Sequence, residues 1–346
     1  MRTKAAVLVE LNRPLEIMDL DLPDPAEGEV LVKIHASGLC HTQLLEIKGE
    51  NAGGSHVPNL MGHEGSGIVE AAGKNVHKVK KEDRVILSWI KGKGADVCPK
   101  PLRHNGLGIN RGPVTTFSQY SIVSENRVEP VQSRIDFRPA ALIGCAVSTG
   151  MGMVFNNAKL KPGTSLMVVG VGGIGMSAVH AASLAGASVI LAVDKNPKKL
   201  ELAKALGATH TFCAGPDIRT ARSFFPVKEG WDVAVDTVGF KDTMEFVYES
   251  VKKNSGRAIL CGVPNPPGRT ITVDPFPLYY GRQLVGTSGG ETDPSVHFEK
   301  YCRMYLEGRL KLDAMISHVF PLEKINEGFD VMRRGDAVRV VIEPAA

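Results

Sequence analysis

Three residues that lie far apart in the sequence have side chains suited to holding one zinc ion: Cys40 in GLCHTQ, His63 in MGHEGSG and Cys145 in IGCAVSTG. Two thiolates and one imidazole would give Zn²⁺ three protein ligands and leave the fourth tetrahedral position open for water or substrate. A structural zinc is normally closed by four protein ligands. The set therefore favours a catalytic zinc over a structural one.

A glycine-rich turn, GVGGIG, follows a predicted strand and begins a predicted helix, with glycines at 170, 172 and 175. Such glycines permit a tight turn and let a pyrophosphate approach the N–H groups at the helix start. Asp194 ends the next predicted strand, 19 residues after Gly175, where its carboxylate can accept hydrogen bonds from the adenosine ribose. A carboxylate there also repels a 2′-phosphate, so the sequence predicts NAD rather than NADP.

A zinc site and a dinucleotide site in one chain predict hydride transfer. Zinc lowers the pKa of a bound water to roughly 7, and an alcohol bound in the same way would ionise near neutral pH. The resulting alkoxide readily gives hydride to a nicotinamide ring. We therefore expect an enzyme that interconverts an alcohol and an aldehyde or ketone by zinc-alkoxide hydride transfer.

The composition argues against several other classes of protein. The chain has 346 residues, 43% of them hydrophobic, which is enough for two domains. Its net charge of +4 includes no block of like charge, so we expect no nucleic-acid partner. No apolar run approaches the ~20 residues that span a bilayer, and the amino terminus lacks a signal-peptide pattern. Six dispersed cysteines are not typical of a disulfide framework, so we expect a cytoplasmic protein.

The elements that must position these residues fall into two kinds. Residues 1 to about 125 contain short alternating or apolar runs punctuated by Gly, Pro and Asn, which predict an antiparallel, barrel-like unit. Strands and helices then alternate, which is typical of a doubly wound parallel sheet. We predict an α/β protein with a discontinuous catalytic domain, 1–146 and 289–346, and a Rossmann domain, 147–288.

At this point the motifs resemble those of the zinc-dependent alcohol dehydrogenases in the medium-chain dehydrogenase/reductase family. The resemblance covers essentially the whole chain: GLCHT, GHEGSGIVE, DRV, GCAVSTGMG, GVGGIG, VDKNPKKLELAKALGA and INEGFDVMRRGDAVRVVI. GHEGSGIVE and GCAVSTG are similar to the branch that includes glutathione-dependent formaldehyde dehydrogenase. Polyol dehydrogenases of the family generally use Glu as the third ligand, so Cys145 argues against that branch. The resemblance implies a GroES-like catalytic domain and a homodimer or homotetramer formed through ITVDPFPLYYGRQLVGT.

The resemblance also implies roles for residues around the metal. Cys40, His63 and Cys145 would bind zinc, and Glu64 would coordinate it transiently during ligand exchange. Thr42 would hydrogen-bond the substrate alcohol and pass its proton on. Trp89, six residues after the Asp of the DRV motif, would line the substrate pocket.

For the cofactor, the resemblance assigns the pyrophosphate to His41 and Arg339, and the adenosine ribose to Asp194 and Lys199. Val263 would contact the nicotinamide amide through its backbone. The other residues implied in cofactor binding are Gly170, Gly172, Gly173, Ile174, Gly175 and Val238.

Three features depart from the family pattern. The stretch where many relatives bind a structural zinc with four cysteines, residues 91–115 here, is shortened and holds only Cys98, so we predict one zinc per chain. Gln43 stands where the family usually has an Asp near the zinc ligands, and a neutral amide there should leave the zinc more electrophilic and less tightly held. Leu45 occupies the position of a histidine that ends the proton relay in several relatives. The proton would then leave through Thr42, the ribose and water, or through another group.

Other functions remain open on the sequence alone. A zinc-independent reductase of quinones or enoyl thioesters from the same superfamily is one alternative, and a non-catalytic NAD-binding protein is another. A cluster of basic residues in the shortened stretch indicates either an anionic substrate or a solvated loop: Lys91, Lys93, Lys100, Arg103 and Arg111. The substrate itself cannot be read from the sequence, although a glutathione adduct is disfavoured because no anion-binding residues can be placed.

Overall fold

Two separate stretches of the chain, Met1–Cys145 and Asp293–Ala346, form one compact unit, and Ala146–Thr292 forms a second. The predicted domain boundaries, at residues 147 and 289, differ from these by one and four residues. The computed structural model describes residues 1–50, 56–264, 266 and 268–344. We call the two parts unit 1 and unit 2.

The strands of unit 1 that precede unit 2 are β1 (Arg2–Leu8), β2 (Glu16–Asp21), β3 (Glu29–Gly38), β4 (Asn59–Leu60), β5 (Glu64–Ala72), β6 (Arg84–Ser88), β7 (Leu102–His104), β8 (Leu107–Arg111), β9 (Tyr120–Ser124) and β10 (Val128–Pro130). Those of unit 2 are β11 (Ser165–Val169), β12 (Val189–Asp194), β13 (His210–Cys213), β14 (Val233–Asp236), β15 (Arg257–Leu260) and β16 (Gln283–Gly286). The carboxyl-terminal stretch returns to unit 1 with β17 (Ile316–Pro321) and β18 (Arg339–Glu343).

The α-helices, in chain order, are α1 (His41–Lys48), α2 (Phe137–Leu142), α3 (Ser148–Gly152), α4 (Gly173–Leu184), α5 (Pro197–Ala205), α6 (Lys241–Ser250), α7 (Pro294–Leu306) and α8 (Ile325–Arg333). Short π-helical turns follow α2, at Ile143–Val147, and α3, at Met153–Asn157.

Unit 1 contains a closed barrel in the order β1-β2-β7-β8-β4 and a sheet in the order β10-β6-β5-β3-β18-β17, with β9 also paired to β3. The central strand β3 has an apolar sequence because each of its two faces packs against a hydrophobic cluster. Val30, Val32 and Ile34 point to one hydrophobic cluster, and Leu31 points to another, as the two-residue period of a strand requires. Both faces of β3 are therefore buried.

The prediction that residues 1 to about 125 form an antiparallel unit needs a correction at one pair, and a second parallel pair lies in the carboxyl-terminal stretch, outside that prediction. β4 pairs with β8 in parallel, and β17 pairs with β18 in parallel. The second pair is possible because α8 lies between the two strands and provides the crossover that a parallel connection needs. The remaining pairs of unit 1 are antiparallel.

The hairpin of β7 and β8 was not predicted, although the sequence contains its signal. Asn105 and Gly106 form a two-residue loop, and both have positive φ, 48° and 84°. An Asn-Gly pair is the favoured sequence for a tight hairpin turn of this kind. The signal was missed because the flanking strands are only three and five residues long.

Unit 2 is a parallel sheet of six strands in the order β13-β12-β11-β14-β15-β16. This is the strand order 3-2-1-4-5-6 of a Rossmann fold, as predicted. The two edge strands, β13 and β16, were not predicted because each has four residues and a partly exposed surface.

The expectation that no apolar run is long enough to cross a membrane is wrong on length. The helical run 137–157 passes that test, with a mean hydropathy of 1.3. However, 89% of the tested window is buried inside the protein. Since core helices also meet such criteria, the run is weak support for a membrane span.

The shortened stretch around Cys98 is held by a carboxylate. Glu125 is buried, and its carboxylate accepts hydrogen bonds from the backbone N–H groups of His77 (2.7 Å), Lys78 (2.9 Å) and Ala95 (2.8 Å). Burial alone would raise the pKa of Glu125, but these three hydrogen bonds outweigh it and lower the pKa below its ordinary value of 4.5. The negative charge therefore stabilises this loop.

We expect Glu125→Gln to lower the free energy of unfolding at pH 7 by about 1–3 kcal/mol, because the Gln amide leaves one buried N–H group without an acceptor. A lowered pKa means that the stabilisation is present above pH 4.5 and is lost as the pH falls through the folded-state pKa. The difference between variant and wild type should therefore shrink as the pH falls below 4.5 and through the lowered folded-state pKa. Denaturant unfolding at several pH values measures this, with Glu16→Gln, an exposed residue on β2, as the control. A difference that is independent of pH would contradict the assignment.

Candidate functional site

The structure brings Cys40, His63 and Cys145 together within unit 1. One potential ligand atom from each lies within 4.8 Å of the others. Cys40 immediately precedes α1, His63 immediately precedes β5, and Cys145 lies in the π-helical turn after α2. In the part of the chain that the structure describes, these three residues form a group whose side chains could hold a metal ion. Cys98 lies outside this group and is exposed to solvent.

The chemistry of these three side chains fits a metal ion. The Nδ1 atom of His63 lies 3.1 Å from Gln43 Nε2, whereas its buried Nε2 atom has no hydrogen-bond partner among the described residues. The pKa of Cys40 is held well below its usual range, because hydrogen bonding with Cys145 outweighs the opposing effect of burial and His63 adds to the lowering. Thiolates and a neutral imidazole are ligands that zinc prefers.

Two glycines let the segments of the site approach each other. A Cβ atom on Gly144 would lie 2.3 Å from the carbonyl oxygen of Leu87, and one on Gly38 would lie 2.3 Å from Glu64 Oε1. Both distances are far below a normal contact, so neither position has room for a side chain. Each glycine lies within two residues of a cysteine of the site, so this close packing is directly beside Cys40 and Cys145.

Glu64 and Arg339 form a buried ion pair next to the cysteine thiols. Glu64 is fully buried, and its backbone carbonyl accepts hydrogen bonds from the hydroxyl groups of Ser37 and Thr116, both at 3.1 Å. The positive charge of Arg339 also favours the thiolate form of Cys40. The structure thus places the predicted transient ligand and a predicted phosphate-binding arginine in contact with each other, a pairing that the sequence did not predict.

Gln43 connects two of the three ligand-bearing segments. Its Oε1 atom accepts a hydrogen bond from the backbone N–H of Cys40 at 2.6 Å, and its Nε2 atom lies 3.1 Å from the imidazole of His63. The side chain is fully buried. The residue that departs from the family pattern therefore touches the surroundings of two ligands at once.

Trp89 contacts the third ligand. It follows β6, and its indole Nε1 atom donates a hydrogen bond to Cys145 Sγ at 3.2 Å. The sequence predicted Trp89 near the substrate but gave no signal for this contact, because 56 residues separate the two partners.

On α1, Thr42 Oγ1 lies 3.6 Å from Cys40 Sγ, so the predicted substrate-binding hydroxyl is at the edge of the ligand set. His41, one residue earlier, is exposed at the start of the helix. Leu45 is buried. Glu46, which sequence reasoning missed, is half-buried one helical turn after Thr42, and burial raises its pKa.

The predicted dinucleotide loop lies in unit 2 between β11 and α4. Gly170 has a φ of +85°, and a Cβ atom on Gly175 would lie 1.8 Å from the carbonyl oxygen of Gly170. Space is open above Gly172. The carboxylate of Asp194 accepts hydrogen bonds from the N–H groups of Val171 (2.8 Å) and Asn196 (2.9 Å), so the predicted ribose-binding acid lies next to the glycine loop.

Other predicted cofactor residues also lie in unit 2. Gly173 and Ile174 form the first turn of α4, where N–H groups have no partner within the helix. Val238 and Val263 follow the carboxyl ends of β14 and β15, the edge of a parallel sheet at which ligands bind. Lys199 lies on α5 and is largely buried.

Known proteins resemble this chain over nearly its whole length. Residues 26–133 match the family model for the alcohol dehydrogenase GroES-like domain, and residues 173–305 match that for zinc-binding dehydrogenases. The chain is 33% identical to the alcohol dehydrogenase class-3 of Cereibacter sphaeroides over 377 aligned residues, covering 99% of this chain and 100% of the relative. It is also 33% identical to the S-(hydroxymethyl)glutathione dehydrogenase of Paracoccus denitrificans, with the same coverage.

Two solved structures are similar over their full length and that of this chain. An alcohol dehydrogenase zinc-binding domain protein from Burkholderia ambifaria superposes with a TM-score of 0.91 at 28% identity. Benzyl alcohol dehydrogenase from Acinetobacter calcoaceticus superposes with a TM-score of 0.89 at 26% identity. These relatives confirm zinc-dependent oxidoreduction of alcohols and aldehydes and do not favour the zinc-independent alternative. The chain belongs to the zinc-binding alcohol dehydrogenases of the medium-chain dehydrogenase/reductase family.

Proposed function

We propose that this enzyme is an NAD-dependent alcohol dehydrogenase with one catalytic zinc ion per chain, held by Cys40, His63 and Cys145. The observation that supports this most strongly is the approach of three potential ligand atoms, one from each residue, to within 4.8 Å of one another. When bound, zinc supplies Lewis acidity to the substrate oxygen, and NAD accepts hydride.

The residues around the metal then have distinct tasks. Thr42 Oγ1 hydrogen-bonds the substrate hydroxyl and takes its proton, since it lies beside the ligand set. Leu45 has no group that can accept a proton, so Thr42 would have to release its own hydroxyl proton to water or to another group as it accepts that of the substrate. Glu64 can approach the metal during ligand exchange only if its ion pair with Arg339 loosens.

For the cofactor, we propose that the free N–H groups in the first turn of α4 bind the pyrophosphate. Each carboxylate oxygen of Asp194 already accepts one backbone N–H and has a further lone pair for a ribose hydroxyl. The charge of Asp194 supports the preference for NAD over NADP. Lys199, Val238 and Val263 complete the proposed set.

An uncharged alcohol fits this chain better than an anionic one. Lys91 is paired with Asp96 at 2.6 Å, and Arg111 is paired with Glu29 at 2.8 Å and buried. Two of the five basic side chains of the shortened stretch are therefore neutralised by partners within the protein. The similarity to benzyl alcohol dehydrogenase supports an apolar substrate.

We further propose a homodimer or homotetramer formed through the edge of the unit 2 sheet. Phe276, Tyr279 and Tyr280 are strongly exposed aromatic side chains, the second of them 84% accessible, just before the edge strand β16. Exposed clusters of this type mark interaction surfaces. The cytoplasmic location expected from the sequence stays a prediction.

Metal analysis tests the proposed function. We expect about one zinc per chain, and Cys145→Ser should lose both the zinc and the NAD-dependent oxidation of alcohols. Cys98→Ser is the matched control, because Cys98 is exposed and lies outside the ligand group. Two zinc ions per chain, or zinc loss in the Cys98 variant, would contradict a single catalytic site.

The amide of Gln43 generates a second prediction. If Nε2 of His63 holds the zinc, Nδ1 would carry a proton and need an acceptor, yet the oxygen of Gln43 already accepts the N–H of Cys40. A carboxylate has acceptors for both donors and adds negative charge beside the ion. Gln43→Asp should therefore bind zinc about 10- to 100-fold more tightly, as measured by competition with a chelator.

Gln43→Asn is the control for this experiment, because Asn has the length of Asp without its second acceptor or its charge. The Asn variant should bind zinc no more tightly than the wild type. Equal zinc affinities for the Asp and Asn variants would refute the explanation.

A further inference from the structure

We propose that Trp89 tunes the zinc site electronically, through the hydrogen bond from its indole N–H to Cys145. The inference rests on the proposed zinc site and adds a residue that acts through one of its ligands. The Nε1–Sγ distance is 3.2 Å. An indole nitrogen can only donate, so the sulfur must be the acceptor, whichever way neighbouring amides or imidazoles are turned.

The backbone around Trp89 is held in place from both sides. The hydroxyl of Ser88 donates to the carbonyl oxygen of Gly144 at 2.5 Å and accepts from the N–H of Ile90 at 2.9 Å. The guanidinium of Arg127 donates to the carbonyl oxygen of Trp89. Ser88, the residue before Trp89, is thus hydrogen-bonded to Gly144, the residue before Cys145. The indole therefore needs little reordering to reach the sulfur.

An apolar wall for a substrate does not need an N–H group, since Phe or Leu would serve. The hydrogen bond from the Trp89 N–H to the buried sulfur of Cys145 therefore indicates a role beyond lining a pocket. Hydrogen bonds to a charged acceptor are shorter and about twice as strong as neutral ones. A donor on the Cys145 thiolate withdraws electron density from the sulfur, so that less negative charge reaches the metal.

The effect of Trp89 has the same sign as that of Gln43. A neutral amide behind His63 withholds charge from one ligand, and the indole N–H reduces the charge that a second ligand donates. Both effects would make the bound metal ion more electrophilic and would weaken its binding to the protein. Outer contacts of this kind tune metal centres in many proteins.

Cobalt substitution tests the proposal without relying on turnover. In Co²⁺-loaded protein, the thiolate-to-cobalt charge-transfer band reports the electron density on sulfur, and the visible d–d bands report tetrahedral geometry. Trp89→Phe should move the charge-transfer band to longer wavelength with the d–d bands retained, because a sulfur without its donor holds its lone pair less tightly. Trp231→Phe is the control, since Trp231 is buried in unit 2 and lies outside the site.

A shape-matched variant separates the hydrogen bond from packing. The chain has two tryptophans, so in a Trp231→Phe background biosynthetic replacement by β-(3-benzothienyl)alanine changes residue 89 alone. This side chain keeps the bicyclic shape and lacks the N–H. It should give the same shift as Trp89→Phe.

The outcomes distinguish this inference from the proposed function. A charge-transfer band at the same wavelength in wild type, Trp89→Phe and the benzothienyl protein would overturn the role of Trp89 and leave the zinc site standing. A wild-type protein that binds Co²⁺ without any thiolate charge-transfer band would overturn the zinc site and this inference with it.

Discussion

The fold of unit 1 carries a free-energy cost, because it buries a polar side-chain atom that has no hydrogen-bond partner among the described residues. Cys40, His63 and Cys145 place two thiols and an imidazole in a buried space, and the Nε2 atom of His63 has no partner among the described residues. A buried polar atom without a hydrogen bond costs about 1–3 kcal/mol. A cation bound by all three side chains would satisfy each of them. The proposed zinc ion would therefore offset the cost of bringing these three distant segments together.

The side chains that contact Cys40, His63 and Cys145 change how much negative charge these three residues would donate to a metal ion. Arg339 favours the thiolate of Cys40 and is itself balanced by Glu64. Gln43 and Trp89 act in the other direction, the first on His63 and the second on Cys145. Because all four side chains lie within unit 1, the electronic character of the site is a property of that unit's packing.

Much of this could be predicted from the sequence, where local patterns are strong. The alternating or apolar runs predicted before residue 125 correspond to strands, and the glycine turn followed by Asp194 lies at the carboxyl edge of the Rossmann sheet. The edge strands β13 and β16 could not be predicted because their residues are exposed or half-buried and lack the apolar run of the equally short strand β14. Contacts such as Trp89 to Cys145 had no local signal, since they depend on how strands pair.

The central claim is that two sulfur atoms and one imidazole hold a single zinc ion with one position left for water or substrate. Zinc-edge X-ray absorption of the purified enzyme measures this directly. We predict two Zn–S distances of about 2.3 Å and two Zn–N/O distances of about 2.0–2.1 Å. A first shell of four sulfur atoms, or a shell of nitrogen and oxygen alone, would contradict it.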